Sequence, residues 1–208
     1  MSAAVNGHTD TVTALLGAGA NIEHAADDGY TAVMSAAVNG HTDTVTALLG
    51  AGANIEHAAD DGYTAVMSAA VKGHTDTVTA LLGAGANIEH AKHDGRTAVM
   101  VAAVNGHTDT VTALLGAGAN IEHAKHGGYT AVMSAAISGH TDTVTALLGA
   151  GANIDHAADD GETALMLAAS TGHTSCVIKL LATGARVERR DNNGWTALNV
   201  RYAVMSVV

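Results

Sequence analysis

A block of 33 residues recurs along this chain without an insertion or a deletion. Each block carries one glycine at the same register, and these glycines are Gly29, Gly62, Gly95, Gly128, Gly161 and Gly194. Self-similarity at a fixed period indicates a repeat architecture, in which each unit packs only on its neighbours. We therefore expect one small structural unit to be stacked several times. Specific function should then depend on the positions at which the units differ.

The register divides the chain into units of equal length. The five whole units are residues 28–60, 61–93, 94–126, 127–159 and 160–192, and the partial units are residues 1–27 and 193–208. We treat all of them as a single array. Because the period is interrupted within a unit at both ends, we expect the chain to be a part of a longer array.

Each unit predicts two short helices followed by an extended loop. In residues 28–60 an Ala-rich apolar segment follows Thr31, a residue type that caps helices, and Gly40 then ends the first helix. The apolar spacing predicts a second helix over about residues 43–51. The loop ends in a turn signal at Gly62, which follows an aspartate. Helices this short are marginal alone, so their stability must come from stacking.

The unit resembles the ankyrin repeat, whose pattern is approximately D-x-x-G-x-T-P-L-H-x-A-A-x-x-G-H-x-x-x-V-x-x-L-L-x-x-G-A. The positions of one unit that agree with this pattern are Gly29, Thr31, Ala36, Ala37, Gly40, His41, Val45, Leu48, Leu49, Gly52 and Ala53. The agreement recurs in every unit. The resemblance implies an all-α repeat solenoid of ankyrin-type helix-turn-helix units with β-hairpin-like loops, elongated and curved.

The sequence departs from this pattern at the start of the first helix. The family's T-P-L-H reads TAVM at residues 31–34 and in three later units, TALM at residues 163–166 and TALN at residues 196–199. The proline that presets the first helical turn is absent, as is the histidine that in the family bonds near the helix start. The loop aspartate of the pattern is kept only at Asp191. In addition, Gly50 and its three counterparts weaken the second helices by about 1 kcal/mol each relative to alanine. These departures affect the expected stability and not the expected fold.

The units differ mainly at the loop tips and on the solvent side of the first helices. The position after each tip glycine holds Tyr30, Tyr63, Arg96, Tyr129, Glu162 and Trp195. The other candidate partner-binding residues are Asn39, Asp60, Asp61, Lys72, His93, Asp94 and His126. The resemblance implies that these positions line the concave face with which ankyrin proteins bind partners. Tyrosine, tryptophan and arginine are also the residues enriched at interface hot spots. The alternative is that exposed positions vary because nothing selects against change there.

Histidine is abundant, with 13 residues in the chain. One set follows a glycine in each unit, and the resemblance implies that it ties the turn to the neighbouring backbone; its members are His8, His41, His74, His107, His140 and His173. A second set has no family role, and its members are His24, His57, His90, His123 and His156. Two alternatives remain open for the additional histidines. Paired His on adjacent loops could bind Zn²⁺ or Ni²⁺, although zinc sites use four ligands in a fixed geometry. Protonation of all 13 would also move the formal charge from -11 to about +2, which suggests a response to pH.

Composition argues against several classes of partner. The net charge is -11, and residues 1–71 contain no lysine or arginine, whereas a nucleic-acid surface needs a basic stripe. The aromatic content of 2% leaves few platforms on which bases could stack. There is no secretory signal and no apolar run of the ~20 residues that span a bilayer. The single cysteine, Cys176, excludes an internal disulfide. We therefore predict an intracellular, cytoplasmic protein with neither nucleic acid nor membrane as its partner.

The sequence favours binding over catalysis. The His–Asp pair, such as His41 with Asp43, is copied in five units, and a catalytic site copied many times is not expected. We predict no enzyme activity, no cofactor and no small-molecule substrate. The predicted function is a scaffold that binds a protein or an extended peptide. The alternative is a structural spacer or elastic element without a specific ligand.

Overall fold

The computed structural model describes residues 1–199, and within them the chain is helical with turns and loops between the helices. Twelve helices are present in this part of the chain: α1 (Ser2–Val5), α2 (Thr9–Gly17), α3 (Ala32–Val38), α4 (Thr42–Gly50), α5 (Ala65–Ala70), α6 (Thr75–Gly83), α7 (Ala98–Val104), α8 (Thr108–Gly116), α9 (Ala131–Ile137), α10 (Thr141–Gly149), α11 (Ala164–Ser170) and α12 (Thr174–Ala182). The described residues form no strand, only one antiparallel β-bridge between Ala157 and Thr163. The fold is an all-α repeat solenoid, as the sequence predicts.

The first helix of a unit is short, Ala-rich and almost wholly buried. In α3 the side chains from Val33 to Ala37 are buried, and small side chains allow helix axes to approach closely. The helix ends before Gly40, whose φ of +73° lies in the left-handed region that favours glycine. The predicted first helix and its glycine stop are therefore confirmed.

The second helix of a unit buries one face, and α4 begins one residue earlier than predicted. Val45 and Leu48 are buried, as the apolar spacing indicates. Thr44 is also buried, although threonine is not an apolar signal. Its hydroxyl shares a 2.7 Å hydrogen bond with the hydroxyl of Thr9 on the preceding second helix, so burial leaves no polar atom unpaired there.

The threonine before the first helix holds the N-cap position without always acting as a cap. Thr31 has the extended backbone of an N-cap residue, but no hydrogen bond joins its hydroxyl to the helix. Four such hydroxyls are buried without a partner, those of Thr31, Thr64, Thr97 and Thr130. All four belong to TAVM units, where methionine stands at the family's histidine position. The unit with TALN differs, because the Thr196 hydroxyl donates to Asn199 Oδ1 at 3.1 Å.

Consecutive units are joined by three kinds of hydrogen bond. The hydroxyls of the second helices pair in the couples Thr9–Thr44, Thr42–Thr77, Thr75–Thr110 and Thr108–Thr143. A loop carboxylate accepts the N–H of the residue 31 positions later in the couples Glu23–Asn54, Glu56–Asn87, Glu89–Asn120 and Glu122–Asn153. Histidine rings make the third kind. Together they align each unit on the one before it.

Both sets of histidines contribute to this third kind of bond. In the first set, the His41 Nε2–H donates to the Val5 carbonyl at 2.9 Å, which confirms the structural role that the resemblance implies. In the second set, the His57 Nε2–H donates to the Gly29 carbonyl at 2.9 Å. His156 bonds the Gly128 carbonyl in the same way at 3.0 Å. The second set therefore has a structural role that the sequence does not indicate.

The chain contacts divide into two compact bodies. The first body contains Met1–Ala102 and Asp109–Asn120, and the second contains Ala103–Thr108 and the chain from Ile121 onward. The treatment of residues 1–208 as a single array remains a prediction. Residues 200–208 of its last partial unit lie outside the described part of the chain.

Between residues 1 and 199, none of the helices combines the length and the apolar character that crossing a bilayer requires.

Candidate binding surface at the loop tips

Each loop tip is a tight turn that the glycine makes possible. In the first tip the Ala26 N–H donates to the Tyr30 carbonyl at 2.9 Å, and the Gly29 N–H donates to the Ala26 carbonyl at 2.9 Å. Gly29 has a φ of +81°, which a residue with a Cβ rarely adopts. This is the three-residue hairpin loop with a left-handed glycine. The predicted turn is thus confirmed, and it presents the residue after the glycine at a fixed place in each unit.

The aspartate before the tip glycine stabilises the turn. Asp28 Oδ1 accepts the N–H of Tyr30 at 3.1 Å, and Asp61 Oδ1 accepts that of Tyr63 at 3.1 Å. Asp94 and Asp160 make the same bond in their own tips. Aspartate favours such turns because its short side chain reaches the backbone two residues on. One oxygen of each of these carboxylates is therefore committed to the turn.

A charged cluster in the first body surrounds Tyr63. The Lys92 Nζ lies 4.8 Å from the centroid of the Tyr63 ring and 3.6 Å from Asp94 Oδ2. Arg96 Nε lies 3.0 Å from the same Asp94 oxygen. Burial acts to raise the pKa of Asp94, but the N–H and charge of Arg96 and the charge of Lys92 hold that pKa below its ordinary value. Burial raises the pKa of the Tyr63 hydroxyl.

A second cluster in the second body surrounds Tyr129. The Tyr129 hydroxyl donates to Asp160 Oδ2 and to Glu162 Oε2, both at 3.1 Å, and Lys125 Nζ lies 4.7 Å from the ring centroid. Burial and the two carboxylates raise the pKa of Tyr129. Burial is the main cause that raises the pKa of Glu162, and the neighbouring Asp160 adds to it. Four of the residues that follow a tip glycine, Tyr63, Arg96, Tyr129 and Glu162, thus contact one another or a neighbouring charge, and not solvent alone.

Tyr30 lies in the first tip and is half-buried. Burial raises the pKa of Tyr30, and the nearby carboxylates of Asp61 and Asp28 also raise it. The side chain of Ser68, which belongs to α5 of the next unit, acts on this pKa in the opposite direction. Among residues 1–199 no lysine or arginine lies over this ring, in contrast to Tyr63 and Tyr129.

The remaining candidate residues lie at several kinds of position. Exposed side chains at the tips are those of Asp60, Asp61, His93 and His126. At the ends of the first helices, Asn39 and Lys72 are exposed, and the Asn39 amide donates to the Ser35 carbonyl at 2.8 Å. Trp195 is half-buried, and its backbone N–H donates to Asp191 Oδ1 at 2.8 Å. Whether any of them contacts a partner stays a prediction.

Three residues of the tip clusters are missing from the residues that the sequence singles out for binding. Lys92 and Lys125 lie over tyrosine rings, and the Ser68 side chain acts to lower the pKa of Tyr30 against the larger effect of burial. A signal for all three exists, because each occupies a position at which the units differ. What the sequence does not reveal is that a side chain of one unit reaches the tip of its neighbour.

The histidines and carboxylates of residues 1–199 contain no group of three or more that could hold a metal ion.

The chain is similar to known proteins both in its sequence pattern and in its structure. A family model of ankyrin repeats matches three overlapping segments, residues 1–92, 84–158 and 144–206. The crystal structure of the human ASB11 ankyrin repeat domain is similar with a TM-score of 0.87 at 27% sequence identity. That similarity covers 99% of this chain and 92% of the other. A search of curated proteins finds no significant match.

Proposed function

Because this chain belongs to the ankyrin repeat family, we propose that it is a non-catalytic scaffold for a partner protein or an extended peptide. The partner binds at the loop tips and at the ends of the first helices. Ankyrin repeats are in general protein-interaction modules, and this general function applies to the chain as a member of the family. The binding face and the absence of catalysis are the parts that we propose.

The observation that carries the proposal is the separation of variable residues from packing residues. The three kinds of hydrogen bond that recur between units use residues that repeat almost unchanged, such as the threonine couples of the second helices. The variable residues lie elsewhere, at the tips and at exposed ends of first helices such as Asn39 and Lys72. A tip can therefore change without disturbing the stack, as a scaffold with an adaptable binding surface requires.

The repeated His–Asp pair supports a scaffold in preference to an enzyme. The imidazole of His41 is used in packing, since it bonds the Val5 carbonyl and lies over Gly7. Asp43 is exposed in the first turn of α4, where a negative charge complements the helix dipole. An open depression of about 300 Å³ beside His74 and Asp76 has the same pair on its wall. Both members of the pair therefore have a structural explanation that needs no catalytic role.

The test is affinity capture with three chains. The first is the native chain, and the second carries Tyr63→Ala, Arg96→Ala and Tyr129→Ala. The third, a matched control, carries Thr46→Ala, Thr79→Ala and Thr145→Ala at exposed positions of second helices. We expect proteins that the native and control chains retain and the tip variant loses. Identical sets of proteins from all three chains would favour the spacer alternative.

An intracellular location forms part of the proposal. Cys176 is a buried free thiol whose sulfur lies 3.3 Å from the Thr141 hydroxyl, so it has the packing role of the threonine found in other units. A lone reduced cysteine is typical of proteins in a reducing compartment. Fractionation of the native protein tests this point.

A further inference from the structure

We propose that the first tip is a receptor for a lysine side chain of the partner, with the ammonium seated between the Tyr30 ring and Asp61. The inference rests on the proposed function, since it names the chemistry that the partner must present at one of the proposed contacts. It is carried by a comparison of equivalent tips within this one chain.

Two other tips show which group this geometry accepts. The ammonium of Lys92 lies over the Tyr63 ring while it also pairs with Asp94. The ammonium of Lys125 lies at nearly the same distance from the Tyr129 ring. A cation within about 6 Å of a ring centroid is attracted by the electrons of the ring face. At these two tips the chain supplies its own lysine to the tyrosine.

The first tip has the same parts without the lysine. The residues that lie 33 positions before Tyr63, Lys92 and Asp94 are Tyr30, Ala59 and Asp61. The backbone is the same at both places, because the Ala59 N–H donates to the Tyr63 carbonyl at 2.9 Å and the Lys92 N–H donates to the Arg96 carbonyl at 3.0 Å. Ala59 has no amine to offer. The tyrosine and the carboxylate are therefore in place, and the cation is missing from this part of the chain.

The wider surroundings of Tyr30 also favour a cation. Residues 1–71 contain no lysine or arginine, and their carboxylates include the exposed Asp27, Asp28, Asp60 and Asp61 at the first two tips. Each of these is within a residue or two of a tip glycine. Asp61 uses one oxygen for the Tyr63 N–H, which leaves its second oxygen at the place where Asp94 holds Lys92. The carboxylates of the first two tips thus lack the neighbouring cations with which Lys92 and Arg96 neutralise Asp94 in the third tip.

The tips of Tyr63 and Tyr129, whose rings are already covered by a cation, indicate that this site suits a lysine better than a flat guanidinium. Both occupants seen in the structure are primary ammonium groups on flexible stems, one from the following loop and one from its own loop. Arg96, the available guanidinium, pairs with Asp94 at 3.0 Å instead of covering a ring. The compact ammonium can contact the ring face and one carboxylate oxygen at the same time.

The experiment is a direct titration of the full chain with Nα-acetyl-lysine methylamide, followed by NMR of ring-¹³C tyrosine. Only four tyrosines are present, so single Tyr→Phe variants assign their signals. We expect a saturable shift of the Tyr30 signals and much smaller shifts at Tyr63 and Tyr129. Asp61→Asn keeps an acceptor for the Tyr63 N–H but removes the charge, and we expect about three- to tenfold weaker binding.

Matched variants test whether a lysine of the chain itself competes with the added lysine compound for the tyrosine ring. Ala59→Lys should place an internal ammonium over Tyr30 and abolish the response, whereas Ala59→Met, of similar length without the charge, should preserve it. Lys92→Met should make Tyr63 responsive. Folding of every variant is checked by circular dichroism.

The outcomes separate this inference from the proposed function. Equal responses at Tyr30, Tyr63 and Tyr129, or a Tyr30 response that survives Ala59→Lys, would overturn the lysine site. Stronger binding of Nα-acetyl-arginine methylamide would overturn the assignment to lysine. Either result leaves the capture experiment with the tip variant unaffected. Conversely, loss of the scaffold function appears in that experiment and does not alter the titration.

Discussion

The buried threonine hydroxyls before the first helices should weaken the protein, and Thr64→Val tests this. The Thr64 side chain is 1% exposed, and its hydroxyl has no hydrogen-bond partner. In the unfolded chain water satisfies that hydroxyl, so folding removes hydrogen bonds without replacing them. Valine has nearly the same shape, and the extended backbone at φ -99° suits a β-branched residue.

The magnitude depends on the hydrogen bonds that the hydroxyl loses. An unsatisfied buried polar group costs about 1–3 kcal/mol, and the methyl that replaces the oxygen gains a little from burial. We therefore expect Thr64→Val to raise the free energy of unfolding by about 1–2 kcal/mol. No cap is lost, because α5 receives no hydrogen bond from the Thr64 side chain. A typical core substitution changes stability in the opposite direction.

The measurement is the urea midpoint by circular dichroism, with Thr163→Val as the matched control. The Thr163 hydroxyl accepts the Met166 N–H at 3.4 Å, so its loss should lower the free energy of unfolding by about 0.5–1.5 kcal/mol. Met67→Asn is the complementary variant, because it places beside the Thr64 hydroxyl an amide of the kind that accepts a hydrogen bond from the Thr196 hydroxyl at Asn199. If Thr64→Val destabilises the chain as much as Thr163→Val does, the hydroxyl has a partner and the reasoning is refuted.

Three further predictions concern helices, loops and pH. Gly50→Ala should raise the free energy of unfolding by about 0.5–1 kcal/mol, since an added Cβ there contacts no other atom. Gly52→Ala should lower it, because the φ of Gly52 is +94°. Urea midpoints that move in the same direction for both variants would contradict this. Glu56→Ala should cost about 0.5–1.5 kcal/mol of unfolding free energy by removing the acceptor 2.7 Å from the Asn87 N–H, and Glu56→Gln should cost less. Because burial raises the pKa of Glu162 in the folded protein, protonated Glu162 favours the folded state, and this stabilisation is lost as the pH rises through that pKa. Glu162→Gln should therefore stabilise the chain at pH 7 but not below the ordinary pKa of glutamate, and urea midpoints across pH decide it.

Much of the fold could be predicted from the sequence because its signals are local. The helix of residues 32–38 is set by its Ala-rich segment and the glycine that follows, and the helix of residues 42–50 by its apolar spacing. The tips are set by glycines that need a positive φ, as at Gly29. Each of these features depends on a few consecutive residues, and the 33-residue period repeats the evidence in every unit.

The contacts between units could not be predicted in the same way. Thr44 appears polar in the sequence, but its burial depends on a second hydroxyl 35 residues earlier, on Thr9. His57 has no counterpart in the family pattern, and its bond to the Gly29 carbonyl follows only from how two loops stack. At the tips, the positions that vary could be found, but the partner of each side chain could not. Those partners depend on distances across units that a pattern within one unit does not contain.

The tip positions are consequently not independent of one another. Lys92 covers the ring of Tyr63 in the preceding tip, and its own tip has Arg96 in place of a tyrosine. Lys125 covers the ring of Tyr129 in its own tip. The same residue type at the same register thus blocks a different tyrosine, depending on the residue that stands four positions later. A substitution at one tip therefore changes which neighbouring tyrosine is available to a partner, and the surface should be altered and tested in adjacent pairs of units.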